Sequence, residues 1–193
     1  MSIFFSKVHV VPSTDAGSGG MPFQAHAPHP GFALVGLHLR AGDWIDQITP
    51  MFAEMLEDGS LGPEIFGPTF GGMGGAPQQL RVSPGHVVSG MQTRSGNFID
   101  GIRLFESRWD GARLVEAGWT PWVMGGQRGG VERPERFAEP NGSALVIGIA
   151  GRAAGYVDNL TLVTGEVLRI ASSALGTTTS GRGSKSSGAQ AMG

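Results

Sequence analysis

The chain has 193 residues, 40% of them apolar, with 14 basic residues against 16 acidic ones and no cysteine. That length can bury a core as one domain, a net charge of −2 gives no electrostatic reason to expect nucleic acid or an anionic membrane as partner, and the lack of cysteine excludes disulfides and thiolate metal sites. No apolar run is long enough to span a bilayer, and residues 1–7 lack the basic start and continuous apolar stretch of a signal peptide, so a soluble protein made in the cytoplasm is expected, with any release by a non-classical route.

In chain order, residues 3–11 read as a strand that leads into a glycine loop, Ala16-Gly17-Ser18-Gly19-Gly20. A strand at residues 32–39 follows, then Gly42-Asp43-Trp44-Ile45-Asp46, a strand at 47–49 and a turn at Asp58-Gly59. Residues 52–57 could form a helical turn, although hairpin strands occupy the matching place in the later units. The same series then recurs: glycine loop 71–75, strand 87–92, Gly96-Asn97-Phe98-Ile99-Asp100, strand 102–105 and turn Asp110-Gly111. A third series has loop 125–130, strand 144–149, Ala154-Gly155-Tyr156-Val157-Asp158, strand 160–163 and a turn signal at Thr164-Gly165. Short alternating runs with glycine punctuation predict an all-β fold.

Two markers share one period. The loop ends Gly20, Gly75 and Gly130 lie 55 residues apart, and Asp46, Asp100 and Asp158 are separated by 54 and 58. Each repeat is too short to be a separate domain, so three copies of one unit within a single domain are predicted. Each unit reads as glycine loop, strand, strand, aspartate loop, strand, hairpin turn and strand. The third unit has no glycine loop after it, and the N-terminal strand is expected to complete its sheet and remove an exposed edge. Residues 1–175 form the expected domain, and 176–193 are a Gly/Ser-rich tail with nothing apolar to bury.

Three acids at one period suggest three copies of one chemistry. A hexose presents neighbouring hydroxyls, and a carboxylate accepts from two at once; Asp46, Asp100 and Asp158 fit that role, each beside an aromatic residue, Trp44, Phe98 or Tyr156, able to cover a sugar's C–H face. Backbone N–H groups near Asp43, Asn97 and Gly155 can donate to the same sugar oxygens, and glycine loops let further N–H groups approach where no Cβ intervenes. The competing reading makes the acids turn residues bonding their own backbone and the aromatics a plug at the end of the core.

With these motifs the chain resembles the jacalin-related lectins over residues 3–172, most clearly at 71–75 and 94–100. The resemblance implies a β-prism I fold, with three four-stranded antiparallel sheets about a pseudo-threefold axis. It also implies metal-independent binding of mannose- or glucose-type sugars, since galactose-binding members use a terminus made by chain cleavage and nothing here suggests such processing. By the same resemblance each acid pairs with the next unit's loop: Asp46 with Gly75, Asp100 with Gly130 and Asp158 with Gly20. Departures at Ala154, at Ala16 and at the extra residue in Gln127-Arg128 rank Asp46 and Asp100 ahead of Asp158.

Other chemistries find less support. His26, His29, His38 and His86 lack the spacing of a metal set. The glycines at 176 and 181 have P-loop spacing, but Arg182 stands where lysine is required. No serine, histidine and acid arrangement suggests an enzyme, and no cofactor is implied. Trp109, Trp119 and Trp122 read as packing residues, and the sequons at Asn141 and Asn159 carry no weight without a signal peptide. The expected partners are mannose-type oligosaccharides or glycoproteins. The alternative is an assembly subunit whose prism serves protein contacts, oligomerising through the tail or through exposed apolar positions such as Ile3, Phe4, Phe5 and the stretch 51–56.

Overall fold

A computed structural model describes residues 2–111, 113–126, 129–138 and 144–170. The predicted tail at 176–193 with its boundary at 175, the pair Gln127-Arg128 and the sequon at Asn141 lie outside the described residues. Among those described there are strands and no helix.

In chain order the strands are β1 Ser2–Val10, β2 Met21–His26, β3 Phe32–Ala41, β4 Ile45–Met55, β5 Leu61–Phe66, β6 Phe70–Gly71, β7 Ala76–Arg81, β8 His86–Ser95, β9 Ile99–Trp109, β10 Leu114–Trp119, β11 Val123–Met124, β12 Val131–Glu132, β13 Arg136–Phe137, β14 Ala144–Ala153 and β15 Val157–Ile170. They form three antiparallel sheets, ordered β1-β15-β14-β2, β5-β4-β3-β7 and β10-β9-β8-β12. The short pieces continue interrupted outer strands: β6 pairs β4 beyond β5, β11 pairs β9 beyond β10, and β13 pairs β8 beyond β12. Each interruption contains a proline, Pro68, Pro121 or Pro134, which has no N–H to give a ladder and is tolerated at an edge. The architecture is the all-β prism of three four-stranded sheets.

The strand after each glycine loop does not stay with its own unit. β2 pairs β14, β7 pairs β3, and the β12 and β13 pieces pair β8, so each glycine loop carries the chain across to the preceding sheet. The predicted four-strand unit is thus offset by one strand from the structural sheet, which brings each glycine loop to the previous unit's acid.

Two further expectations are corrected. Thr164-Gly165 is not a turn: β15 runs through it, paired with β1 from Ser2 opposite Ile170 to Val10 opposite Val163. β1 supplies the outer strand that a hairpin supplies elsewhere, and Gly165 makes room for its Phe5, whose Cβ a side chain at 165 would approach to 3.0 Å. Residues 52–55 belong to β4, because Phe52, Ala53 and Met55 point into buried surroundings. The turns at Asp58-Gly59 and Asp110-Gly111 form as expected, with both glycines at positive φ, 86° and 88°.

The core repeats with the sheets. Ile45, Ile99 and Val157 precede the three acids, Ile48, Ile102 and Leu160 lie two residues beyond them, and all six are fully buried in one cluster. Burying such side chains contributes roughly 1.5–3 kcal/mol each, so the segments carrying the acids are anchored from both sides.

Candidate functional site

The three acids are strand residues, where the sequence led us to expect loops. Each is the second residue of β4, β9 or β15, and at each the register slips by one. Arg40 faces Gln47 and Ala41 faces Ile45, so Asp46 has no opposite; Asp100 and Asp158 are passed over in the same way, between Gly101 and Ile99 and between Asn159 and Val157. An extra residue of this kind bends the strand and re-aims its side chain, here while the flanking aliphatic residues stay in the core.

Every acid is turned toward a glycine loop from the next unit. A side chain at Gly74 would run into Asp46 Oδ1, one at Gly19 into Asp158 Oδ1, and one at Gly129 would come within 3.2 Å of Asp100 Oδ1. The last loop glycine is left-handed in all three, with φ of 62° at Gly20, 63° at Gly75 and 71° at Gly130. These glycines allow the backbone to turn sharply and lie against the carboxylate. The structure therefore brings Asp46 together with Gly75, Asp100 with Gly130 and Asp158 with Gly20.

The opposite wall is the turn before each acid. Asp46 Oδ2 accepts the Gly42 N–H at 2.7 Å, and Asp100 Oδ2 accepts the Gly96 N–H at 3.1 Å. The three acids are only 3–5% exposed. Burial pushes the Asp100 carboxyl above the ordinary range, partly offset by the Gly96 N–H and the Arg94 charge. Burial likewise raises Asp158, against the pull of Arg152 and its own backbone N–H. An acid held this way is a concentrated acceptor with few donors of its own around it.

Each glycine loop also touches a second turn. Gly72 abuts the Gly155 carbonyl, Gly125 abuts Asp43 while the Gly126 N–H donates to the Gly42 carbonyl at 2.6 Å, and Gly17 lies against the Asn97 carbonyl. Glycine loops and acid turns thus alternate in a closed ring at one end of the prism.

No protein-family model matches the sequence, and no curated protein sequence does either. Solved structures do match the fold. Malaysian banana lectin shares 18% identity with a TM-score of 0.57, covering 83% of this chain and 99% of that one. A mannose-binding jacalin-related lectin from Ananas comosus shares 14% at a TM-score of 0.55, over 82% and 98%. Artocarpin, in complex with mannotriose, shares 12% at a TM-score of 0.58, over 82% and 98%. The fold is that of the jacalin-related lectins.

Within this jacalin-type prism the predicted aromatics have one another as neighbours. Trp44, Phe98 and Tyr156 form a triangle with ring centroids 5.1, 5.0 and 4.8 Å apart. Such contacts contribute about 0.5–1.5 kcal/mol each beyond area burial, and half-buried rings from three units can meet only where the units converge. They pack on one another, as the plug reading expects, while part of each ring stays exposed beside the acid turns. Asp43, Asn97 and Gly155 are exposed at the rim.

One repeated residue escaped the sequence reading. Arg40, Arg94 and Arg152 each precede an acid by six positions, and all three reach a glycine loop. Arg40 donates to the Gly74 and Gly75 carbonyls at 2.8 and 2.7 Å, Arg152 to the Gly19 and Gly20 carbonyls at 2.7 and 2.8 Å, and Arg94 to the Gly130 carbonyl at 3.3 Å. The spacing was available in the sequence, hidden by the ordinary look of an arginine in an alternating strand. Trp119 and Trp122 bracket the Arg103 guanidinium at 4.3 and 4.9 Å, Trp109 is buried, and Asn159 donates toward the Asp15 and Gly17 carbonyls. Among the described residues no group of three or more His, Cys, Asp or Glu side chains could hold a metal ion.

Proposed function

We propose that this protein binds carbohydrate, taking mannose- or glucose-type hexoses of glycans and glycoproteins at the Asp46, Asp100 and Asp158 cradles without a metal ion and without turnover. The observation that carries this reading is the threefold one: a bulged, buried carboxylate enclosed by a left-handed glycine turn from the next unit. A carboxylate accepts two hydroxyl protons, while backbone N–H groups of the glycine loop and acid turn donate to the hydroxyl oxygens. The pair matches the mixed donor and acceptor character of a sugar. The sugar complexes of relatives with this fold lend support.

Each cradle is small. A single such site binds with Kd of order 1 mM, about −4 kcal/mol. Three cradles at one end gain effective concentration when a branched glycan reaches more than one. A glycan array tests this: mannose-bearing glycans should be retained, and a triple Asp46→Asn, Asp100→Asn, Asp158→Asn variant should lose them, because an amide replaces one acceptor oxygen by a donor. Retention by the triple variant equal to the parent would refute the assignment.

A further inference from the structure

The three arginines do not hold their loops equally, and the strand opposite each one accounts for the difference. Arg40 and Arg152 each place two guanidinium nitrogens on two successive glycine carbonyls, at 2.7–2.8 Å. A planar fork that spans two acceptors fixes orientation as well as distance. With both carbonyls drawn toward the arginine, the loop cannot swing without breaking two charge-assisted bonds.

Arg94 makes one longer contact, 3.3 Å to the Gly130 carbonyl, and its Nε is buried with no hydrogen-bond partner among the described residues. The register supplies the reason. Across the ladder, Arg40 faces Pro77 and Arg152 faces Pro22, neither of which carries a charge, whereas Arg94 faces Glu132. The Arg94 guanidinium also faces that carboxylate, at an N···O distance of 3.8 Å, the same distance at which Arg103 lies from its other oxygen. The third loop also carries the extra residue that the other two lack.

We propose that Arg40 and Arg152 are positioning residues that lock the glycine loops over Asp46 and Asp158, and that Glu132 withholds this lock from the Asp100 cradle. For carbohydrate binding, which this inference takes from the reading above, the consequence is unequal sites. Loop donors held in place before the ligand arrives cost nothing to order on binding, so Asp46 and Asp158 are the tighter cradles and Asp100 the weaker. That order differs from the one the sequence suggested, which placed Asp158 last because of Ala154 and Ala16.

The test is NMR on 15N-labelled full-length protein, reading the amides of Gly20, Gly75 and Gly130. Two quantities are measured: backbone order parameters without ligand, and site-resolved affinity on titration with methyl α-mannoside. Arg40→Gln should lower the order of the 71–75 loop from about 0.85 toward 0.6 and weaken the Asp46 cradle about 10-fold, with the Asp158 cradle unchanged as internal control. Arg40→Lys keeps the charge without the fork and should not restore the lock. Glu132→Gln should do the reverse at the third site, ordering the Gly129-Gly130 end of its loop and tightening the Asp100 cradle. A 71–75 loop as rigid in Arg40→Gln as in the parent, full rescue by lysine, or no ordering in Glu132→Gln would overturn the lock. Should the parent show no mannoside shift at any cradle, the carbohydrate reading fails, and the order parameters alone still decide the lock.

Discussion

Around Asp46 the fixed element is the loop: Arg40 holds the Gly74 and Gly75 carbonyls across the sheet edge. Around Asp100 the fixed element is the strand. Arg133 donates to both the hydroxyl and the carbonyl oxygen of Ser95 at 2.8 Å, and Asp15 accepts from Ser95 at 3.1 Å and from Thr93 at 2.6 Å. Asp15 in turn pairs with the buried Arg136 at 3.5 Å, and that arginine donates to Thr93 at 2.7 Å. Equivalent acids are thus backed in two ways, one that orders the donors facing a ligand and one that orders only the acceptor. Rigidity at a site belongs to particular walls, and a repeated motif does not guarantee a repeated stiffness.

The largest expected effect comes from removing the strand-side backing. Asp15→Ala leaves Arg136 buried without its anion, and breaking a buried pair in this way costs about 3–5 kcal/mol. Urea unfolding measures the loss, and amide shifts should concentrate at Thr93, Ser95 and Asp100 and at Leu160, whose N–H also donates to Asp15 at 3.0 Å. Shifts equally large at Asp46 would show that the two backings are not separate.

Protonation sharpens the contrast next. Because burial raises the Asp100 carboxyl, the fold favours its neutral form. The stability this group contributes is complete below the ordinary carboxylate pKa and is lost as pH rises through the raised folded value. Asp100→Asn should therefore melt higher than the parent at neutral pH, with the gap closing on acidification. The proposed binding at this cradle should run the other way, since it relies on the ionised acceptor. Methyl α-mannoside affinity at Asp100 should begin to fall above the ordinary carboxylate range as pH is lowered, and a pH-independent affinity there would remove the carboxylate from the site.

The smallest effect is expected at Arg94. Its pairing with Glu132 is partly exposed at 3.8 Å, so Arg94→Lys should change stability by less than about 1 kcal/mol by thermal melting. A change as large as that at Asp15 would mean that the Asp100 loop is held after all.

The period was legible because glycine, acid and aromatic residues are distinctive in composition and repeated together. The threefold β class followed from it, as did the meeting of acid and loop once the family resemblance was drawn. The bulges were not legible: a residue without a cross-strand partner leaves no mark in Ile45-Asp46-Gln47, and only the register at Arg40 and Ala41 reveals it. Thr164-Gly165 has turn chemistry, but β1 arrives from the distant end of the chain and overrides it. Trp44, Phe98 and Tyr156 fitted two roles from sequence, and their packing on one another becomes visible only where three repeats converge.

Two of the sheets gain their outer strands through tight hairpins, at Asp58-Gly59 and Asp110-Gly111, while the sheet bearing Asp158 gains its own from β1, pairing Ser2 with Ile170. Topologically the molecule is a belt of three panels buckled at one place. Closing that buckle brings together the most distant parts of the described chain, so of the three panels it has the largest loop-closure entropy to overcome.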